Sequence, residues 1–180
     1  VLRGLIGHET GGTFDPNQYG DYRLPNGSKV KAGTPGAEPV SLGLGQWANF
    51  VRDNKGNLKL KGLKPGEVPS TWKEHASTIL GDANAPMTEQ NQKAVLKGMA
   101  IKRLSNQNMS LDQFVASWNA GEGNAKSYKQ IPGVSDYVNK VYQAAKTYKD
   151  GYTPSTAQNQ KQTEPNFLGS LGASIIKGPE

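Results

Sequence analysis

The residue best placed for acid–base chemistry is Glu9, which closes a short apolar segment just before Gly11 and Gly12. The apolar residues between Val1 and Ile6 follow helical spacing, which predicts a helix that ends at the two glycines. A carboxylate at the end of an apolar helix loses part of its hydration. That loss raises its pKa toward the range of a general acid working near neutral pH. Taken alone, Glu9 is better explained as a solvated surface charge, so its function depends on the segments that follow.

Two later segments combine glycines, side-chain amides and an aromatic ring. In Gly43-Leu44-Gly45-Gln46 the glycines let the backbone approach a ligand closely, and Gln46 offers both donors and acceptors. In Trp118-Asn119-Ala120-Gly121 an aromatic–amide pair ends a helix at glycine. Flat aromatic faces stack on sugar rings, and amides pair with hydroxyl and N-acetyl groups. Together with one acidic residue, these segments favour binding of a polysaccharide.

Together and in this order, the segments resemble the soluble lytic transglycosylase family, which is related in fold to goose-type lysozyme. The family pattern has a catalytic Glu followed by Ser, then Phe-x-Pro, Gly-Leu-Met-Gln, Ala-Tyr-Asn-Ala-Gly and a Tyr-Val-x-Lys-Val-like helix. The similar segments here are Glu9-Thr10, Phe14-Asp15-Pro16, Gly43-Leu44-Gly45-Gln46, Trp118-Asn119-Ala120-Gly121, Tyr137-Val138-Asn139-Lys140-Val141 and the helix start Glu89-Gln90-Asn91-Gln92-Lys93. The resemblance covers residues 1–148. Thr10, Gly45 and Trp118 replace the family's Ser, Met and Tyr, and residues 18–40 are interpreted as an insertion.

The resemblance implies a mainly α, lysozyme-like transglycosylase domain over residues 1–150, with long loops and a cleft around Glu9, Gln46 and Asn119. It also implies an enzyme that cleaves the β-1,4 bond between N-acetylmuramic acid and N-acetylglucosamine in peptidoglycan. Glu9 would act first as acid and then as base, and the product would carry a 1,6-anhydro end. No cofactor and no metal is expected. The substrate-binding residues implied are Thr10, Gln46, Trp118, Asn119 and Tyr137, with the Tyr137 hydroxyl reaching Glu9 or the ring simply packing in the core.

A second catalytic carboxylate would change the reaction, because ordinary glycosidases use two. The candidates by proximity to the motifs are Asp15, Asp21, Glu38 and Glu122, and none has a compelling position. The lack of a well-placed second carboxylate agrees with the single-Glu mechanism that the resemblance implies. A hydrolytic, goose-type lysozyme on the same fold stays open, as does a non-catalytic murein-binding module of a virion or secretion assembly.

Composition and charge limit the kinds of metal site and binding partner that the chain can have. The chain has no cysteine and two histidines, which argues against a thiolate or zinc site, and no apolar run approaches the length of a membrane span. The formal charge of +6 lies wholly within residues 1–150. It suggests an anionic partner such as nucleic acid, an acidic membrane surface or a wall polymer. Nucleic acid is disfavoured because the basic residues are scattered along the sequence.

The ends of the chain add two expectations. Residues 151–180 are rich in Gly, Ser, Thr, Gln and Pro and are interpreted as a polar tail or linker. The start at Val1 suggests a piece of a longer polypeptide or larger assembly. By analogy we expect an extracytoplasmic setting, in periplasm or cell wall, or a virion-associated one such as a phage tail.

Local patterns predict the helices that must position the motifs. They indicate a short helix over 46–53, and a second one that follows Ser70 as its N-cap and stops at Gly81. They also indicate one capped by Thr88 that runs to about Asn106, one opened by a capping box at Ser110, and a last one over 137–148. Residues 18–40 are predicted to be a long loop, and 54–69 a loop with a short hairpin.

Overall fold

The computed structural model describes residues 1–148, so the predicted tail over 151–180 lies outside the described residues. The helices are α1 (Leu2–Glu9), α2 (Ser70–Leu80), α3 (Glu89–Ile101), α4 (Leu111–Ala120) and α5 (Val134–Thr147). The strands are β1 (Tyr19–Arg23), β2 (Lys29–Val30), β3 (Glu38–Leu42), β4 (Trp47–Ala48), β5 (Phe50–Arg52) and β6 (Leu58–Leu60). The mainly helical class is confirmed, with more strand than the sequence predicted.

The described chain divides into a first unit, residues 1–14 with 108–148, and a second unit, residues 15–107. In the first unit α1 and α4 both pack on α5, and a 3₁₀ segment, Glu122–Gln130, follows α4. The core of this unit consists of apolar side chains from all of these elements: Leu2, Leu5, Ile6, Phe114, Val115, Ala116, Ala125, Tyr128, Val134, Val138 and Val141. The i, i+4, i+7 spacing of the three valines gives α5 one buried face.

The contact between α1 and α5 depends on Gly4. A Cβ atom built on Gly4 would lie 2.5 Å from the Ala145 Cβ and 2.6 Å from the Val141 carbonyl oxygen. Real Cβ atoms do not approach other atoms so closely, and backbone cannot move aside as a flexible side chain can. Glycine at this position therefore sets the distance between the two helices, and with it the position of Glu9 at the end of α1.

We expect Gly4→Ala to lower the free energy of unfolding by about 1–3 kcal/mol, because the added methyl group overpacks the α1–α5 contact. Urea unfolding followed by circular dichroism measures the change. The matched control is Gly123→Ala, since a Cβ at Gly123 meets nothing within 4 Å. Equal effects of the two substitutions would contradict the close packing of α1 on α5.

The ends of α4 follow the sequence prediction. The Ser110 side chain accepts a hydrogen bond from the Gln113 backbone at 3.2 Å, and the Gln113 side chain accepts one from the Ser110 backbone at 2.9 Å, which completes the capping box. At the other end Gly121, with φ of 82°, turns the chain out of the helix. The Trp118–Asn119 pair therefore lies in the last turn of α4.

The second unit contains both sheets and the remaining helices. A four-stranded antiparallel sheet has the order β2-β1-β3-β4, and β5 and β6 form a separate hairpin with Phe50 opposite Leu60. The core is apolar and rich in residues from α2 and α3: Val40, Leu44, Trp47, Leu63, Trp72, Ala76, Ala85, Val95, Leu96, Met99 and Ala100.

Two sequence predictions are wrong in this unit. Residues 18–40 contain β1, β2 and the start of β3 rather than a long loop, and 46–53 contain β4 and β5 rather than a helix. Trp47 and Phe50 are three residues apart, as a helix requires. Burial instead alternates, because Trp47 and Asn49 are buried whereas Ala48 and Phe50 are partly exposed. That period of two is typical of a strand.

The helices of the second unit are mostly as predicted. Thr88 caps α3, since its hydroxyl accepts a hydrogen bond from the Asn91 backbone at 3.2 Å, and a π-helical turn carries the helix on to Asn106. Helix α2 ends at Gly81 as expected. It begins after Pro69, however, and Ser70 does not cap it, because the Ser70 hydroxyl accepts from the Phe50 backbone at 2.7 Å. None of the helices in residues 1–148 is long and apolar enough to cross a bilayer.

Candidate functional site

The first unit joins Glu9 to Tyr137, which is 128 residues away in the chain. Glu9 is the last residue of α1 and is partly exposed. The Tyr137 hydroxyl, in the first turn of α5, donates a hydrogen bond to Oε1 of Glu9. Because α1 packs on α5, the end of one helix meets the beginning of the other at this pair. The structure thus brings together two of the residues that the resemblance assigns to one site.

The environment of Tyr137 fixes the direction of this hydrogen bond. Burial of the phenol, then the negative charge of Glu9 and the hydrogen bond to it, raise the pKa of Tyr137 far above its ordinary value. Tyr137 therefore stays protonated at physiological pH, and its hydroxyl donates to the Glu9 carboxylate. A phenol held in this way keeps the Glu9 carboxyl group in one orientation.

The ring of His8 packs against the ring of Tyr137. Its ring centroid lies 5.1 Å from that of Tyr137, with the two planes at 75°, which is an edge-to-face contact. Burial, and then the positive charge of Lys140, lower the pKa of His8 below its ordinary value. Near neutral pH, His8 is therefore an uncharged ring packed against Tyr137.

Thr10 has a structural role in the turn that follows α1. The side chain is fully buried. Its hydroxyl donates to the Ile6 carbonyl at 2.8 Å and accepts from the Phe14 backbone at 3.1 Å. The Thr10 side chain has no exposed surface in this structure, and the contact with substrate that the resemblance implied for it stays a prediction. Thr10 holds the chain in the bend that leaves Glu9 at its edge.

Trp118 and Asn119 lie in the same unit as Glu9. Asn119 is exposed, as a ligand-binding amide must be. Trp118 is partly exposed, and its ring centroid lies 6.4 Å from that of Phe114 in the core. The indole therefore has one side in the core and another accessible to solvent, and the predicted role of Trp118 in binding substrate stays a prediction.

Gln46 belongs to the second unit and closes a tight turn there. Its backbone has a positive φ of 46°, which is uncommon for a residue with a side chain. The amide oxygen accepts from the Ser41 hydroxyl at 2.8 Å, and the amide nitrogen donates to the carbonyl of Gly43 at 3.0 Å and of Gln18 at 3.3 Å. These bonds hold the glycine turn in shape. The predicted role of Gln46 in binding substrate stays a prediction.

The sequence analysis missed the function of Gln92, which is fully buried in the second unit. The amide oxygen accepts from the Leu44 backbone at 2.7 Å and from the Trp47 indole at 3.4 Å. The amide nitrogen donates to the carbonyls of Pro16 at 2.9 Å and Met87 at 2.8 Å. A signal was present, because Gln92 falls on the same helical stripe as Val95, Leu96 and Met99.

A second missed group centres on Asp112 in the first unit. Its two carboxylate oxygens accept from the hydroxyls of Tyr142 at 2.5 Å and Tyr128 at 3.2 Å. Burial, together with the charge and hydrogen bonds of Asp112, raises the pKa of both tyrosines. The carboxylate ties α4 to α5 and to the 3₁₀ segment. It lies beside a cavity of about 360 Å³ that is lined by Ser110, Asp112, Gln113 and residues 126–130. Spacing in the sequence gives no signal for this contact.

The candidates for a second carboxylate have local roles. Asp15 accepts from the Asn17 backbone at 2.8 Å, which closes a local turn, and Asp21 forms an ion pair with Lys29 at 2.6 Å. Glu38 packs over Gly62, and Glu122 begins the 3₁₀ segment. Within residues 1–148 no three His, Asp or Glu side chains converge as ligands for a metal ion.

Comparison with known proteins found no match to a protein-family model, a curated protein or a solved structure. The resemblance therefore depends on the order of the motifs.

Proposed function

We propose that this protein is a peptidoglycan lytic transglycosylase in which Glu9 is the single acid–base residue. The substrate would be the glycan strand of the wall, cleaved between N-acetylmuramic acid and N-acetylglucosamine. The setting would be the periplasm, the cell wall or a virion that penetrates the wall. The supporting arguments are the order of the motifs along the chain and the contact between Glu9 in the first of them and Tyr137 in the last.

The observation that carries the proposal is the hydrogen bond from Tyr137 to Glu9. A surface carboxylate at a helix end has no need of a buried phenol that fixes its orientation. An acid–base catalyst does, because proton transfer depends on the position of the carboxyl oxygen relative to the reacting atoms. The partial exposure of Glu9 leaves the carboxyl group accessible to a ligand.

The proposed reaction needs no water and no second carboxylate. Neutral Glu9 gives its proton to the glycosidic oxygen as the bond from that oxygen to the anomeric carbon breaks. The carboxylate that remains takes the proton of the C6 hydroxyl of the same muramic acid residue. The C6 oxygen bonds to the anomeric carbon and closes the 1,6-anhydro ring, and Glu9 is neutral again.

Mass analysis of the fragments released from purified peptidoglycan tests the reaction. Anhydro ends would support the transglycosylase. Reducing ends would show that water takes the place of the C6 hydroxyl, as in a goose-type lysozyme, and would overturn the proposed reaction. Binding without any release of fragments would overturn catalysis and leave a murein-binding module.

We expect Tyr137→Phe to lower kcat by about 10- to 100-fold and to change KM little, because a hydrogen bond to a charged group is worth about 1.5–3 kcal/mol. The fold should persist, since phenylalanine keeps the ring against His8. Turnover of soluble glycan strands gives both constants. The matched control is Tyr142→Phe, whose hydroxyl binds Asp112 instead of Glu9. An equal loss of kcat in both variants would argue against a specific role for Tyr137.

A further inference from the structure

The hairpin of β5 and β6 concentrates charge and exposed apolar side chains in one place. Residues 50–67 contain five basic residues and two acidic ones, Asp53 and Glu67, which gives +3 of the total formal charge of +6. The basic residues are Arg52, Lys55, Lys59, Lys61 and Lys64. Although basic residues look scattered along the sequence, half of the excess charge falls in a tenth of the chain.

The same hairpin holds most of the large apolar side chains that the described residues expose to solvent. The exposed fractions are 59% for Leu58, 36% for Leu60 and 39% for Val51. In residues 1–148 the others are Tyr19 and Ile101. One exposed leucine needs no explanation, but Leu58 and Leu60 are two residues apart on one strand, so they share a face and form an exposed apolar pair.

The pairing register places these side chains on defined faces. Phe50 lies opposite Leu60 and Arg52 opposite Leu58, so these four share one face, and Val51 with Lys59 lies on the other. Each face of the hairpin therefore carries apolar groups together with a cation.

The two acidic residues are engaged inside the hairpin and its base. The carboxylate of Asp53 accepts from the backbones of Lys55 and Asn57, both at 2.9 Å, and pairs with Lys59 at 3.2 Å. Glu67 accepts from the Lys64 backbone at 3.0 Å and pairs with Lys61 at 3.8 Å. Both carboxylates thus bind backbone amides and lysines of the hairpin and its base. The surface that a partner would meet has a net positive charge.

We propose that the β5–β6 hairpin, residues 50–64, is a docking surface for an anionic lipid bilayer. Cations attract acidic headgroups, and leucine side chains insert at the boundary between headgroups and acyl chains. A soluble polyanion would use the cations and leave the leucines in water. An added strand from a partner protein would meet lysines along the edge, which oppose such pairing. The combination fits a lipid surface, and it does not depend on the proposed enzymatic activity.

Co-sedimentation of the full 180-residue chain with vesicles tests the proposal. We expect at least tenfold stronger partitioning onto vesicles of equal phosphatidylglycerol and phosphatidylcholine than onto phosphatidylcholine alone. Leu58→Ser with Leu60→Ser should reduce partitioning about tenfold or more. Lys55→Glu with Lys64→Glu should reduce it by a similar factor, since each charge near an acidic bilayer contributes about fivefold.

Matched controls come from equally exposed residues elsewhere. Ile101→Ser removes an apolar side chain that is 45% exposed, and Lys126→Glu with Lys129→Glu reverses two exposed lysines in the first unit. Both controls should stay within about twofold of the original chain. Equal losses in controls and hairpin variants would overturn the proposal, as would a leucine variant that binds normally or a chain that ignores acidic lipid. Circular dichroism verifies that each variant is folded, and the single Leu58→Ser replaces the double variant if that one unfolds.

Discussion

Replacing Glu9 by Gln is expected to reduce peptidoglycan cleavage by about 10²- to 10⁴-fold, which is the usual contribution of general acid–base catalysis. Glutamine has nearly the shape of glutamate but cannot give a proton to a glycosidic oxygen. Its amide oxygen can still accept the hydrogen bond from Tyr137, so the contact between α1 and α5 should persist. Release of soluble fragments from purified sacculi measures activity, and thermal unfolding shows whether the fold is intact.

The matched control is Asp136→Asn, which makes the same change from acid to amide at an exposed position next to Tyr137. It should leave cleavage within about twofold of the original rate. Undiminished cleavage by a folded Glu9→Gln variant would remove Glu9 from the reaction. The hairpin could still bind lipid in that case, because its residues lie in the other unit.

Replacing Gln92 by Leu is expected to lower the free energy of unfolding by roughly 2–5 kcal/mol. Leucine leaves the Leu44 backbone amide and the carbonyls of Pro16 and Met87 without the partners that they have in the folded chain. Each buried group left in this state costs about 1–3 kcal/mol. A loss of this size is a large part of the 5–15 kcal/mol that holds a typical domain together.

Urea unfolding of Gln92→Leu beside Gln90→Leu separates this effect from a general intolerance of leucine in α3. Gln90 is exposed on the same helix, so its substitution should change the free energy of unfolding by less than about 0.5 kcal/mol. If the two variants were equally stable, the hydrogen bonds of Gln92 would contribute little, and the turn at Gly43 would need another support. Gly43 is close to Gln92, since a Cβ there would lie 2.2 Å from the amide oxygen.

The helices were predictable because their signals are local. The caps at Thr88 and Ser110 and the glycine stops at Gly81 and Gly121 act within one turn of chain. The four-stranded sheet was not predictable in the same way. Its strands β2 and β4 are two residues long and too short to display an alternating pattern. Their pairing is decided by partners elsewhere in the chain, which a local pattern does not contain.

In the candidate site, too, the local features were predictable from the sequence and the long-range contacts were not. The type and order of the residues suggested Glu9, and the helix that ends there was predictable from spacing. The bond from Tyr137 spans most of the chain, and the sequence left open whether that ring reaches Glu9 or only packs in the core. The burial of Thr10 was not predictable, because a threonine that bonds back to its own helix and one that faces a ligand have the same sequence signal.

The side chain of Gln46, which closes the turn, also limits which residues fit at position 20. The Gln46 amide oxygen occupies the space that a Cβ on Gly20 would need, at a separation of only 1.7 Å. A side chain at position 20 therefore requires the Gln46 side chain to move aside and give up its hydrogen bonds to Ser41, Gly43 and Gln18. The two positions are thus coupled in evolution, because the cost of replacing the glycine depends on which residue stands at position 46.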